Sequence, residues 1–206
     1  MPDVSLFAAF LLTVLVLELT PGPNMAWLAL LSARKGRWAG LFAVAGVALG
    51  LGTVGLAAAL GVTAFIARND MMFHALQIAG TGFMLYLAIE AWRESGESSP
   101  ARMETGHAAD FRRGFIINLL NPKAGLFFTA LLPNYLDESR ALAPQIALLT
   151  LTSVLIATAI HLALVFAGER AGHWLESGPA SRLIRKGFAI LLALIAVWLF
   201  AATRHG

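Results

Sequence analysis

Residues 38–67 read WAGLFAVAGVALGLGTVGLAAALGVTAFIA and contain no charged side chain. A helix needs about 20 consecutive apolar residues to cross a bilayer, so this stretch alone is long enough. Because hydrocarbon offers no partner to backbone N–H and C=O groups, a segment inside it must satisfy them within its own helix. The stretch therefore predicts a transmembrane helix and an all-α integral membrane protein.

The same pattern recurs along the whole chain of 206 residues. Apolar residues make up 58% of the sequence and charged residues 13%, with a mean hydropathy of +0.74. Globular domains carry about 25% charged residues, so this composition excludes a soluble enzyme. Runs with at most one ionisable side chain predict six transmembrane helices, at residues 4–33, 38–67, 71–89, 114–136, 141–168 and 187–203.

Arg and Lys residues orient these predicted spans. Eleven lie in the loops after the first, third and fifth spans, three lie on the opposite side, and Lys123 lies inside a span. Since basic loops stay in the cytoplasm, both termini are expected outside it. The high pI of about 9.8 thus reflects basic loops rather than nucleic-acid binding. No basic region precedes the first apolar run, so this run is expected to be retained as a span and not cleaved as a signal peptide.

Two of the predicted spans are interrupted by proline. Residues 18–24 read ELTPGPN in the first span, and residues 118–123 read NLLNPK in the fourth. Proline inside a helix removes a backbone donor and clashes with the carbonyl four residues earlier, whereas it is favoured at the first position of a restarted helix. Asn121 is placed to cap the helix that restarts at Pro122.

The position of the breaks suggests two related halves. The polar segment 94–111 predicts a flexible cytoplasmic linker between a three-helix repeat at 1–93 and a second at 112–206. Three spans in each half place the halves in opposite orientations, as in inverted-repeat transporters, with the first helix of each repeat broken by proline. Such a break exposes backbone donors and the positive end of a helix dipole at mid-depth, which suits an anionic group in a wet cavity.

Besides His74 near the start of the third span, the predicted spans contain three ionisable side chains with Asp, Glu, His or Lys chemistry, Glu18, Lys123 and His161. A charge at the bilayer centre costs about 3 kcal/mol even on mild scales, which favours a functional role. Glu18 and Lys123 are expected either to pair structurally or to line one aqueous cavity. Glu18 is the first candidate for proton coupling, and His161 is the second.

The broken helices also carry a family resemblance. TPGPN at 20–24, GTGFMLYL at 80–87, and FRRGF at 111–115 followed by NLLNPKA at 118–124 resemble the motifs of the lysine exporter / homoserine-threonine resistance (LysE/RhtB) family. The resemblance covers residues 13–135. It implies a secondary exporter of amino acids or their derivatives in the bacterial inner membrane, driven by the proton gradient.

Carried over to this sequence, the family motifs imply a set of substrate-binding residues: Pro21, Gly22, Pro23, Asn24, Asn118, Asn121, Pro122 and Lys123. The role of Glu18 rests on the physical argument alone. The resemblance implies an amino acid, protons and the lipid bilayer as partners, and neither a cofactor nor a bound metal ion is expected.

Several alternatives stay open at this level. Export of another small solute, such as a metal cation, is the second transporter hypothesis, although it would favour clustered ligands. An intramembrane enzyme or a scaffold is the hypothesis from a different class. The spans offer no His-Glu-x-x-His spacing for zinc hydrolysis. Gly46 and Gly50 predict close helix packing, within the chain or in a homodimer.

Overall fold

The computed structural model describes residues 4–20, 22–61, 65, 68–94, 106–137 and 139–176, together with positions 187, 190, 193, 194 and 197. The described elements are helical. In chain order they are α1 (Val4–Leu19), α2 (Pro23–Ala59), α3 (Asp70–Glu94), α4 (His107–Leu119), α5 (Pro122–Leu126), a π-helical turn (Phe127–Leu131), a 3-10 turn (Leu132–Tyr135) and α6 (Leu142–Glu176). Pro21, residues 95–105 of the predicted linker and nearly all of the predicted sixth span lie outside the described residues.

Several of these helices are suited to a membrane. Among the described residues, three helical stretches are long and apolar enough to cross it, namely Asn24–Ala59, Asp70–Ile89 and Leu142–Gly172. A fourth candidate is the pair His107–Leu119 and Lys123–Tyr135, bent by 51°. Large apolar side chains such as Leu56, Leu155 and Phe166 are exposed on the helices, as expected for surfaces that face lipid.

α2 contains a sharp turn at Gly36. Gly36 has φ 79° and ψ 177°, a conformation open to glycine because it has no Cβ. A Cβ built on Gly40 would lie 2.3 Å from the Ser32 hydroxyl oxygen, although residues eight apart in a straight helix are separated by about 12 Å. The chain thus folds back at Gly36, and the segments before and after it pack against each other.

The second part of α2 packs closely on α4. A Cβ on Gly46 would lie 2.0 Å from the Phe111 carbonyl oxygen, and one on Gly50 would lie 2.9 Å from the Phe115 carbonyl oxygen. The close packing predicted for Gly46 and Gly50 is confirmed, and it occurs within the chain. Small residues at this interface bring α4 against α2 and so determine where Asn118 lies.

α4 begins at His107, inside the stretch 94–111 that the sequence assigned to a linker. Two contacts hold its first turn against α2. The His107 ring stacks on Phe42 at 4.3 Å between ring centroids, and Asp110, 5% exposed, accepts a hydrogen bond from Lys35 Nζ at 3.2 Å. Local composition favours a loop here, but these tertiary contacts stabilise a helix.

Candidate functional site

The site forms where two pairs of helix ends meet. α1 ends at Leu19 and α2 begins at Pro23, after Gly22 in an extended conformation with φ −147° and ψ 175°. α4 ends at Leu119 and α5 begins at Pro122. The predicted cap at Asn121 is confirmed, because its Oδ1 accepts a hydrogen bond from the Lys123 backbone N–H at 3.0 Å.

A cavity lies between these helix ends. Its volume is about 30 Å³, which holds water molecules but not an amino acid. The residues that line it come from α1, α2, α4, α5, the π-helical turn and α6: Val14, Leu17, Glu18, Gly22, Asn24, Met25, Leu51, Asn118, Asn121, Lys123, Ala124, Phe127, Ser153 and His161. Half of these residues are polar or ionisable and half are apolar or glycine, so the cavity offers many hydrogen-bonding and charged groups beside an apolar wall.

Lys123 and Glu18 both line the cavity, but each has its own nearest partner. Lys123 Nζ donates hydrogen bonds to the carbonyl oxygens of Leu17 at 2.5 Å and Thr20 at 3.2 Å, at the carboxyl end of α1. Glu18 Oε2 lies 3.9 Å from His161 Nε2, and the two side chains are 16% and 5% exposed. Glu18 and Lys123 thus line one cavity, and the His161 imidazole lies beside the Glu18 carboxylate.

An amide pair joins the two motifs directly. Asn24 Nδ2 donates a hydrogen bond to Asn118 Oδ1 at 2.7 Å, and both side chains are buried. In the described part of the chain, Asn24 Oδ1 and Asn118 Nδ2 have no hydrogen-bond partner. A buried unpaired polar group costs about 1–3 kcal/mol, so this acceptor and this donor are suited to a ligand or a water molecule.

A profile of LysE type translocators matches residues 15–203. The chain belongs to the LysE type translocator family. Similar proteins include the homoserine/homoserine lactone efflux protein of Salmonella typhimurium, 25% identical over 199 residues that cover 96% of each chain. An uncharacterized membrane protein of Pseudomonas aeruginosa is 32% identical over 204 residues, 91% of this chain and 94% of that protein.

A further relative is an uncharacterized membrane protein of Vibrio cholerae, 27% identical over 177 residues that cover 85% of this chain and 86% of that one. No solved structure matches the chain. The family resemblance read from the sequence motifs is therefore confirmed. As a LysE type translocator with several apolar helices, the protein is a membrane exporter.

The structure brings together most of the residues predicted for the translocator's site. Gly22, Asn24, Asn118, Asn121 and Lys123 line one cavity with Glu18 and His161. Pro23 and Pro122 start the two helices that follow the interruptions. Sequence reasoning missed the contribution of Ser153, which precedes His161 by about two helical turns on α6 and lies near the same face. The sequence signal that could have identified Ser153 is its spacing from His161, because two polar residues about two turns apart on an apolar helix can face the same cavity.

Sequence reasoning also missed the apolar part of the lining, which includes Val14, Met25, Leu51 and Phe127. No sequence signal separates these residues from the many other apolar residues of the spans. Among the described residues, no three His, Asp or Glu side chains group closely enough to hold a metal ion.

Proposed function

We propose that this translocator exports small amino acids or amino-acid derivatives across the bacterial inner membrane, in exchange for protons and by alternating access. The observation that carries the proposal is the single cavity at the two interrupted helices, where Glu18, Lys123 and His161 meet the Asn24–Asn118 pair inside an apolar protein. Ionisable groups at such depth are expensive and mark substrate or ion pathways.

The chemistry of the cavity supports an amphoteric substrate. The carboxyl end of α1 and the Glu18 carboxylate favour a cationic group, whereas the amino end of α2 favours an anionic one. The Salmonella relative carries the name of homoserine and its lactone, which share a primary amine. A small amine that also carries hydroxyl or carbonyl oxygens fits this set of donors and acceptors.

Six spans in two inverted repeats account for the helix order. The Gly36 turn divides α2, so α1 and the first part of α2 would form one interrupted span and Arg37 onward the second. α3 would be the third span, α4 with α5 and its following turns the fourth, and α6 the fifth. The apolar run 187–203 would be the sixth span, so both termini would lie on the same side of the membrane, and the basic loops favour the side outside the cytoplasm.

Alternating access explains the small cavity. At about 30 Å³ the space is too small for an amino acid, so transport requires a wider state on each side. Proton coupling is assigned to Glu18 with His161, because a proton held between these two groups changes the charge of the cavity. The proposed cycle therefore alternates substrate and proton occupancy of one site.

Inverted membrane vesicles test the function. Labelled homoserine, homoserine lactone, threonine and lysine are offered with and without an imposed pH gradient, interior acidic. We expect uptake of at least one compound, raised several-fold by the gradient and abolished by a protonophore. Glu18→Gln should lose the gradient effect, whereas Asp70→Asn, an exposed carboxylate at the start of α3, should not. Uptake of none of the four compounds in active vesicles would contradict the proposal.

A further inference from the structure

We infer that the Leu17 and Thr20 carbonyl oxygens form a binding site for a primary ammonium group, occupied by Lys123 in this structure and by the substrate's ammonium during transport. This inference rests on the proposed function and adds to it the atoms that bind the substrate amine. We call these two oxygens the ammonium site.

The ammonium site has the chemistry of a cation site. The last carbonyl oxygens of a helix carry the negative end of the helix dipole. The Leu17 carbonyl oxygen also accepts a hydrogen bond from the Thr20 backbone N–H at 3.2 Å, and its second lone pair remains for a cation. α1 ends at Leu19, and the Leu17 side of this end lines the cavity. Lys123 Nζ donates to the Leu17 carbonyl oxygen at 2.5 Å and to the Thr20 carbonyl oxygen at 3.2 Å, so a primary ammonium already occupies the position.

The backbone of Lys123 is anchored, whereas its side-chain ammonium is bound only by hydrogen bonds to the two carbonyl oxygens and can be displaced from them. Its backbone is fixed by Asn121 at 3.0 Å, but its side chain extends past Gly22, where a Cβ would lie 4.0 Å from Lys123 Cδ. The charged and titratable groups that face it are Glu18 from α1 and His161 from α6, whose Oε2 and Nε2 atoms lie 3.9 Å apart. α3 meets this region through Gly80, against the Leu120 carbonyl oxygen.

A substrate with a primary amine would compete with the Lys123 ammonium for the ammonium site. A primary ammonium has three N–H donors, as the lysine side chain does, and it enters the same cavity that Lys123 and Leu17 line. When it takes the two carbonyl oxygens, the displaced Lys123 ammonium is free to meet a substrate carboxylate. Homoserine offers such a carboxylate, whereas homoserine lactone has the amine without it.

Because homoserine has a carboxylate and homoserine lactone does not, comparing their binding tests the inference. Wild type, Lys123→Met and Lys123→Arg are reconstituted in nanodiscs, and binding of homoserine lactone, homoserine and N-acetyl homoserine lactone is measured by calorimetry. A pH of about 6 keeps the free amines protonated. Lys123→Met vacates the ammonium site, so we expect lactone to bind about tenfold tighter and homoserine to gain less or to lose affinity. N-acetyl homoserine lactone, which has no ammonium, should not respond.

Lys123→Arg retains the hydrogen bonds to the α1 carbonyl oxygens with a group that stays charged and binds with a rigid fork. It should therefore fold and bind lactone about tenfold more weakly than wild type. If Lys123→Met does not fold, lactone binding by Lys123→Arg tests the ammonium site by itself.

Lactone affinity that is unchanged in Lys123→Arg, or that falls equally for lactone and homoserine in Lys123→Met, would overturn the inference. Either result leaves the export proposal standing, provided that wild-type vesicles transport an amine. A wild-type protein that neither binds nor transports these amines refutes the proposed function and, with it, the ammonium site.

Discussion

Replacing Gly46 by alanine tests the close packing of α2 on α4. The added Cβ would lie 2.0 Å from the Phe111 carbonyl oxygen and 2.8 Å from the Phe115 backbone nitrogen. An ordinary contact begins at 3.4 Å, so the backbone of α4 must retreat by more than 1 Å. No flexible side chain can absorb this shift, because the neighbouring atoms belong to a helix backbone.

Two opposing effects determine how much Gly46→Ala changes the free energy of unfolding. Overpacking of this kind costs about 1–3 kcal/mol and sometimes more. Alanine in a helix gains about 0.5–1 kcal/mol over glycine. Gly52 lies in the same helix with nothing within 4 Å of a built Cβ, so Gly52→Ala receives the gain without the clash. Both substitutions receive the helix gain, so the two variants should differ by the overpacking cost alone, about 1–3 kcal/mol, with Gly46→Ala the less stable.

Thermal unfolding in detergent, followed by tryptophan fluorescence, measures this difference. Taking about 2–4 °C per kcal/mol, the Tm of Gly46→Ala should fall about 2–12 °C below that of Gly52→Ala. Transport should follow the same order, because α4 also positions Asn118, whose hydrogen bond to Asn24 is 2.7 Å long. Equal Tm values for the two variants would refute the close contact between Gly46 and the backbone of α4.

Three further outcomes are expected. Glu18→Gln should lose pH-driven accumulation but retain exchange of substrate for substrate, measured in vesicles preloaded with labelled compound; accumulation that still follows pH would remove Glu18 as the coupling residue. Gly206→Cys, in this cysteine-free chain, should react with an impermeant maleimide on intact cells, and reaction only from the cytoplasmic side would contradict the orientation. Lys35→Met leaves the Asp110 carboxylate buried and should cost about 1–3 kcal/mol, whereas adding Asp110→Asn should recover most of the loss in unfolding assays; no recovery would show that the ion pair is not the cause.

The features that the sequence predicted correctly depend on local chemistry. Apolar runs longer than a bilayer indicate membrane helices because the requirement for backbone hydrogen bonds applies within each segment. Asn121, immediately before Pro122, predicts the cap because its side chain needs to reach only the Lys123 backbone N–H, two residues further along the chain. The family motifs likewise singled out Asn24, Asn118 and Lys123, which line one cavity, while their part in binding substrate stays a prediction.

Only the tertiary structure determines which side chains and backbone atoms from distant parts of the sequence contact each other. Glu18 lies beside His161, 143 positions away, and Lys123 bonds to the carboxyl end of α1, because the angles at which the helices pack place these atoms together. The Gly36 turn and the helical start of α4 at His107 also depend on contacts with other elements. Such pairings are set by packing between distant segments, which local periodicity and residue type do not encode.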